Sequence, residues 1–287
     1  MTGSTSSDHG LLIGMTVALP QLDLESAIDV LAASGFEAVE VFMGQLGPRI
    51  VEVPLFEAHA AAAGSHISRR GLVVSTFNGI VGVFDPFSSA KSFDEAVQFL
   101  IDRLRLAEAI GAPRLLTWDG ELTDRRLIER APQILASCIA AAQAEYPGPG
   151  TPEVCVELHP NTFALKFDML EPTADALVAV GAGICLDITH FAVAMGPDFA
   201  SQLSERVLSA VTHVHFSDSD ARSEQLHFPP GAGVVDLSDI ADRLAGRGLS
   251  AAWDLFGWPF PRQAVTTGLS EYRRFLSRLH GEPEPAS

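Results

Sequence analysis

The chain has 287 residues, with 36 acidic against 19 basic side chains and a formal net charge of −17. A groove that tracks a phosphate backbone needs a basic field, and Lys91 and Lys166 are the only lysines, so no nucleic-acid partner is expected. At 47% hydrophobic residues a chain of this size buries about three-quarters of its unfolded surface, which excludes disorder for its body.

Short β-prone runs alternate with longer helical patterns along the chain, the signature of βαβ units. Strand one is expected over Leu11–Ala18 and the first helix over Asp23–Ala33, where Leu24, Ile28 and Leu31 recur at helical spacing before Gly35. Glu37–Phe42 reads as strand two, Leu55–Arg70 as a helix, and Leu72–Phe77 as strand three. The pattern over Phe93–Ile110 predicts a long helix, followed by strand four at Arg114–Thr117. The second half repeats the rhythm. Helices are expected at Leu127–Ala144, Met169–Val180, Phe199–Val207, Leu237–Ala245 and Ala264–Leu279. The strands between them are Glu153–Leu158, Gly183–Asp187, Val211–Phe216 and Ser250–Leu255.

Eight strand–helix pairs fill about the 250 residues that a (β/α)8 TIM barrel needs. The rival, an open doubly wound sheet, would carry a phosphate loop, and no G-x-G-x-x-G follows the first strand. The expected organisation is a disordered tail over 1–10, one α/β barrel over 11–280 and a second tail over 281–287. Cys138, Cys155 and Cys185 cannot all pair with one another and sit inside apolar patterns, which points to a reduced, cytoplasmic protein. Met1–Gly10 has no basic leader character, and no run reaches 18 apolar residues, so neither secretion nor a membrane span is expected.

The last four strands place charge where packing would prefer aliphatic side chains. Period-two geometry sets Cys155, Glu157 and His159 on one face of strand five, Cys185 and Asp187 on one face of strand six, and His213 with His215 on strand seven. Asp254 lies opposite its bulky neighbours on strand eight. In a closed barrel these faces converge. Three carboxylates sharing a low-dielectric pocket repel strongly, and one divalent cation removes that cost. Carboxylates with one imidazole suit Mn²⁺ first, with Co²⁺, Mg²⁺ and Zn²⁺ as alternatives; no nucleotide cofactor is expected. Each residue alone also reads as an ordinary strand terminus; the shared parity is what distinguishes them.

Around this set, His190 is placed to donate to a substrate or orient a ligand. Arg222 offers a planar fork for oxygen atoms, with a surface turn as the plain alternative. The glycines of Pro230-Gly231-Ala232-Gly233 allow close approach of backbone to a ligand. Asn78 and Trp118 end strands three and four, where an aromatic ring beside polar groups suits a sugar, although Trp118 equally reads as a core plug. Cys155 and Cys185 face inward without an evident activating dyad.

These segments resemble the xylose isomerase-like TIM-barrel family, which holds sugar and sugar-phosphate isomerases and epimerases, inosose dehydratases and endonuclease IV. The matching pieces are Glu157-Leu158-His159-Pro160, Asp187-Ile188-Thr189-His190, Val214-His215-Phe216-Ser217-Asp218, and His227 leading into Pro230–Asp236. Similarity to ketose 3-epimerases implies one metal on Glu157, Asp187, His215 and Asp254, with Glu157 and Asp254 also moving protons. It further implies substrate contacts from His190 and Arg222; His159, His227, Trp118 and Asn78 are expected at the substrate beside them. One departure is Asp254, where the family usually has glutamate; aspartate reaches about 1.5 Å less far. The endonuclease IV branch expects histidines where Asn78 and Trp118 stand.

The activity implied is a metal-dependent isomerase or epimerase acting on a sugar-like hydroxy-carbonyl compound through a metal-stabilised cis-enediolate. Two alternatives stay open: a lyase using the same enolate, either an inosose-type dehydratase or a 3-keto-glycoside-cleaving enzyme, and a non-catalytic barrel subunit. The expected partner is a small carbohydrate or polyol-derived substrate. Analogy with paired barrels gives a homodimer.

Overall fold

The structure is a computed structural model describing residues 10–47, 53–148 and 150–283. Most of the expected tails, at 1–9 and 284–287, lies outside them. Eight parallel strands close into a barrel in chain order: β1 (Ile13–Met15), β2 (Ala38–Phe42), β3 (Val73–Asn78), β4 (Arg114–Trp118), β5 (Glu153–Glu157), β6 (Gly183–Asp187), β7 (Val211–Phe216) and β8 (Ser250–Trp253). Closure excludes the open-sheet alternative. Alternate residues of each strand fill the barrel or pack under the surrounding helices. Leu116, Cys155 and Cys185 form a small apolar layer inside the barrel. The outward residues join the large core beneath the helices.

Strand β1 is shorter than expected, because Thr16–Ala18 turns into a 3-10 helix. The Thr16 hydroxyl then takes the Phe42 amide at 3.0 Å, in place of a ladder bond. The β1–β8 seam has only two residue pairs, Ile13↔Ala252 and Gly14↔Trp253. Tyr272, from the helix Leu269–His280, braces that seam. Its hydroxyl accepts from the Ile13 amide at 3.1 Å and lies against the carbonyls of Ile13 and Ala251.

Two helix expectations change. A helix over Ile188–Met195 follows β6 directly, and the Phe199–Val207 region is a 3-10 turn followed by Glu205–Ala210. The residues Ile188 to Ala192 are all buried, so no polar face alternates with an apolar one to announce the helix. The last helix divides at Gly268 into Pro261–Thr267 and Leu269–His280. A Cβ at Gly268 would fall 2.4 Å from the Trp253 ring, so the chain passes too close to that ring for a larger residue. The β2–β3 ladder shifts register between Val39 and Glu40, and the β6–β7 ladder between Ile184 and Cys185. Among the described residues no helix is long and apolar enough to cross a membrane.

Candidate metal centre

The carboxyl ends of β5 to β8 bring four side chains to one place. His215 Nδ1 lies 3.1 Å from Glu157 Oε1, 3.4 Å from Asp187 Oδ2 and 3.8 Å from Asp254 Oδ2. All four residues are buried. One donor atom each from Glu157, Asp187 and His215 lies within 4.8 Å of the others.

Local structure fixes each of them. Asp187 caps the helix Ile188–Met195, and its Oδ1 accepts the His190 amide at 2.8 Å. One orphan donor of the first turn is satisfied in this way, and Oδ2 is left facing the cluster. The loop after β7 is gathered by Asp218, whose carboxylate accepts the amides of Gly231 at 3.0 Å, Gly233 at 2.9 Å and Val235 at 3.2 Å. A Cβ at Gly233 would stand 2.3 Å from Asp218 Oδ1. The close backbone approach expected for a ligand is therefore made to Asp218. The Asp218↔Phe228 bridge and the bond from the His227 amide to the Phe256 carbonyl (2.9 Å) then hold His227 over the barrel. Its Nδ1 lies 2.7 Å from Asp254 Oδ2, while Asp254 Oδ1 accepts the Phe256 amide at 2.9 Å.

Strand β2 supplies a residue absent from the expected set. Glu40 is buried beneath His215, with Oε1 3.2 Å from His215 Nε2 and Oε2 3.1 Å from His213 Nε2. Asn78, expected at a substrate, donates to Glu40 Oε1 at 2.9 Å and also lines the cavity. The signal was a lone glutamate at the centre of Ala38-Val39-Glu40-Val41-Phe42, on the inward parity of an otherwise apolar strand.

The cluster's electrostatics follow from burial and mutual charge. Burial would raise Glu157, but His215 and His159 hold it well below the usual carboxylate range. Asp187 is likewise held down by His190 and His227 against the effect of burial. Burial would lower His227, yet Asp254 and Asp187 push it up to about 9. For His190 burial prevails and the imidazole is lowered.

These residues fit a divalent cation. Bonds of about 2.1 Å separate neighbouring donors by about 3.0–3.4 Å in tetrahedral or octahedral geometry, comparable with the spacings around His215 Nδ1. Asp187 Oδ2, buried, has no hydrogen-bond donor, which a protein interior rarely tolerates without a further partner. Hard oxygen donors with one imidazole suit a cation of the Mn²⁺ or Zn²⁺ kind.

A cavity of about 170 Å³ opens over the cluster. It is lined by the polar Glu157, His159, His190, His215, His227 and Asp254 and by the apolar Met15, Val17, Phe42, Ile80 and Phe256. Gln225, unforeseen from the sequence, also lines it. Arg222 does not: it is exposed on the loop after β7, where its amide closes a turn onto Asp220 at 2.9 Å. The loop spends its inward reach on His227. Trp118 lies behind His159, ring centroids 5.8 Å apart, and lines a neighbouring recess with Glu121 and Phe167. The three cysteines are free and buried. Burial pushes the Cys138 thiol up to about 12 and Cys185 well above its ordinary value, which leaves both thiols poor nucleophiles.

The sequence model of the xylose isomerase-like TIM barrel family matches residues 28–267, and the chain belongs to that family. No curated protein matches it in sequence. Among solved structures it is similar to a xylose isomerase domain protein from Alicyclobacillus acidocaldarius, at 18% identity and TM-score 0.69, covering 94% of this chain and 99% of that one. The IOLI protein with a bound zinc atom superimposes with TM-score 0.74 at 14% identity, over 94% and 99%. An L-ribulose 3-epimerase gives 0.67 at 15%, over 94% and 95%. At such identities the likeness shows the barrel; chemistry must be argued from the buried carboxylate–imidazole cluster.

Proposed function

We propose that the protein is a divalent-metal-dependent isomerase or epimerase acting on a sugar-like hydroxy-carbonyl compound. The observation that carries this reading is the convergence of Glu157, Asp187 and His215 donor atoms within 4.8 Å beside a cavity that Glu157 and His215 help to line, at the barrel's carboxyl end, where barrel enzymes build their sites. The cavity's two kinds of lining support a carbohydrate: the apolar side chains suit a C–H face, and the imidazoles suit hydroxyls. The net charge of −17 argues against a DNA backbone.

Glu157, Asp187, His215 and Asp254 would hold the cation, with Mn²⁺ our first choice. Bound there, the cation supplies Lewis acidity to a carbonyl and its neighbouring hydroxyl, which acidifies the C–H between them. Glu157 takes that proton; its Oε1 is oriented by a hydrogen bond to His215 Nδ1 at 3.1 Å, and Oε2 stands 3.6 Å from His159 Nε2. Asp254 returns a proton on the opposite face for epimerisation, or to the adjacent carbon for isomerisation. His159 and His190 hold substrate hydroxyls. The aromatic and apolar rim excludes water from the exchanging proton.

The test is incubation with Mn²⁺ and a panel of ketoses and cyclic keto-sugars in D₂O. Deuterium should enter next to the carbonyl with the carbon skeleton and oxygen count conserved. Loss of water or an aglycone would move the assignment to a lyase, and no exchange with any member would reject enolisation chemistry.

A further inference from the structure

The barrel interior beneath the cluster holds a chain of polar groups whose direction is set at one end. Arg114 is buried, and its Nη1 donates to Ser250 Oγ and to Thr76 Oγ1, both at 3.1 Å. At the other end an ionised carboxylate only accepts, so His213 donates from Nε2 to Glu40 Oε2 at 3.1 Å. Ser250 Oγ accepts from Arg114, and its own proton is free to meet His213 Nδ1, 2.7 Å away. The other oxygen of Glu40 takes the Asn78 amide at 2.9 Å and faces His215 Nε2 at 3.2 Å. Glu40 makes its closest approach to His215 at that nitrogen, whereas Glu157, Asp187 and Asp254 make theirs at Nδ1.

His215 Nε2 is buried 3.2 Å from Glu40 Oε1 without a hydrogen bond, while Nδ1 is bonded to Glu157 Oε1 at 3.1 Å. We propose that Glu40 is a positioning residue: with a cation at Nδ1, it accepts the otherwise unpartnered Nε2 proton of His215 and fixes the ring so that the Nδ1 lone pair faces the cation. An ionised carboxylate is acceptor-only with room for several donors, so Glu40 bonds His213 and Asn78 and has room for His215 as well. The isosteric amide offers one acceptor and one donor group, so one of the three partners must lose its bond or one imidazole must change tautomer. A partner that orients a ligating imidazole is worth about 10–100-fold in metal affinity. This inference rests on the cation site proposed above; Glu40 itself is not among the residues that line the cavity.

The test uses full-length protein labelled with ¹⁵N-histidine and loaded with Zn²⁺ alone, with long-range ¹H–¹⁵N spectra to identify the zinc-bound nitrogen and chelator competition to measure affinity. Wild type should show zinc on His215 Nδ1 with a retained, hydrogen-bonded Nε2–H. Glu40→Gln should lose or shift that proton signal and bind zinc about 10–100-fold more weakly. Zinc on Nε2 in wild type, or a Glu40→Gln protein with unchanged spectrum and affinity, would overturn the role of Glu40 and leave the cation site standing. A wild-type protein that binds no zinc would overturn the site as well. Should Glu40→Gln fail to fold, the wild-type spectrum decides alone.

Discussion

Nδ1 of His227 lies 2.7 Å from Oδ2 of Asp254, closer than the 3.8 Å between that oxygen and Nδ1 of His215. The short aspartate thus stands at ion-pair distance from an imidazole on a neighbouring loop, and in the proposed site His227 would compete with the cation for that oxygen. Asp254→Ala should weaken Mn²⁺ binding, but less than Asp187→Ala, because Asp187 Oδ2 faces Glu157 and His215 with no hydrogen bond to divert it. His227→Asn should lower turnover by about 10–100-fold. Calorimetric titration of the three variants with Mn²⁺ checks the order, and equal losses at Asp187 and Asp254 would contradict it.

Glu157 is assigned the proton transfer, and its environment holds it ionised, as a base requires. Glu157→Gln retains shape and one acceptor oxygen but cannot take a proton, so solvent-deuterium exchange should fall by about 10²–10⁴-fold, with unchanged circular dichroism. Exchange at near wild-type rate would reassign the base.

The barrel seam gives a prediction independent of chemistry. Tyr272→Phe leaves the Ile13 amide without the hydroxyl acceptor it has at 3.1 Å, and a buried orphan donor costs about 1–3 kcal/mol. The ring would keep its packing against Phe216 and Trp253. The melting temperature should fall by several degrees while cation affinity stays the same. Unchanged melting would show that the hydroxyl does not brace the seam.

Asp119, next to His159 at the edge of the cluster, gives a pH signature of its own. It is fully buried, and burial pushes its carboxyl up to about 6 from 3.8. The folded chain therefore binds this proton more tightly than the unfolded one. The associated stability is full below about pH 3.8 and is lost as pH rises through about 6, amounting to about 3 kcal/mol. Asp119→Asn should be more stable than wild type at pH 8, with the advantage vanishing near pH 4. Denaturant melts of both proteins at the two pH values measure this difference, and a constant gap would refute it.

Much of this site was legible because barrel parity repeats on consecutive strands. Glu157, Asp187 and Asp254 stand out against aliphatic neighbours, and the same alternation that buries Val156 and Leu186 outward points the acids inward. Glu40 obeys the same parity but sits on a strand far from the others in sequence, and only closure brings β2 below β7. Arg222 was misplaced because residue type shows what a side chain can bind, not which way an irregular loop turns it. The helix Ile188–Met195 was missed for a related reason: almost wholly buried at its start, it has no polar face to reveal its period.

The account stands on one cation held by the buried cluster. Elemental analysis of the full-length protein, after exposure to Mn²⁺, Co²⁺ and Zn²⁺ and removal of unbound ions, tests this most directly. It should find about one divalent ion per chain in wild type and a small fraction of that in a folded Asp187→Ala variant. A wild-type protein that retains no ion, or an Asp187→Ala protein that retains as much as wild type, would contradict it.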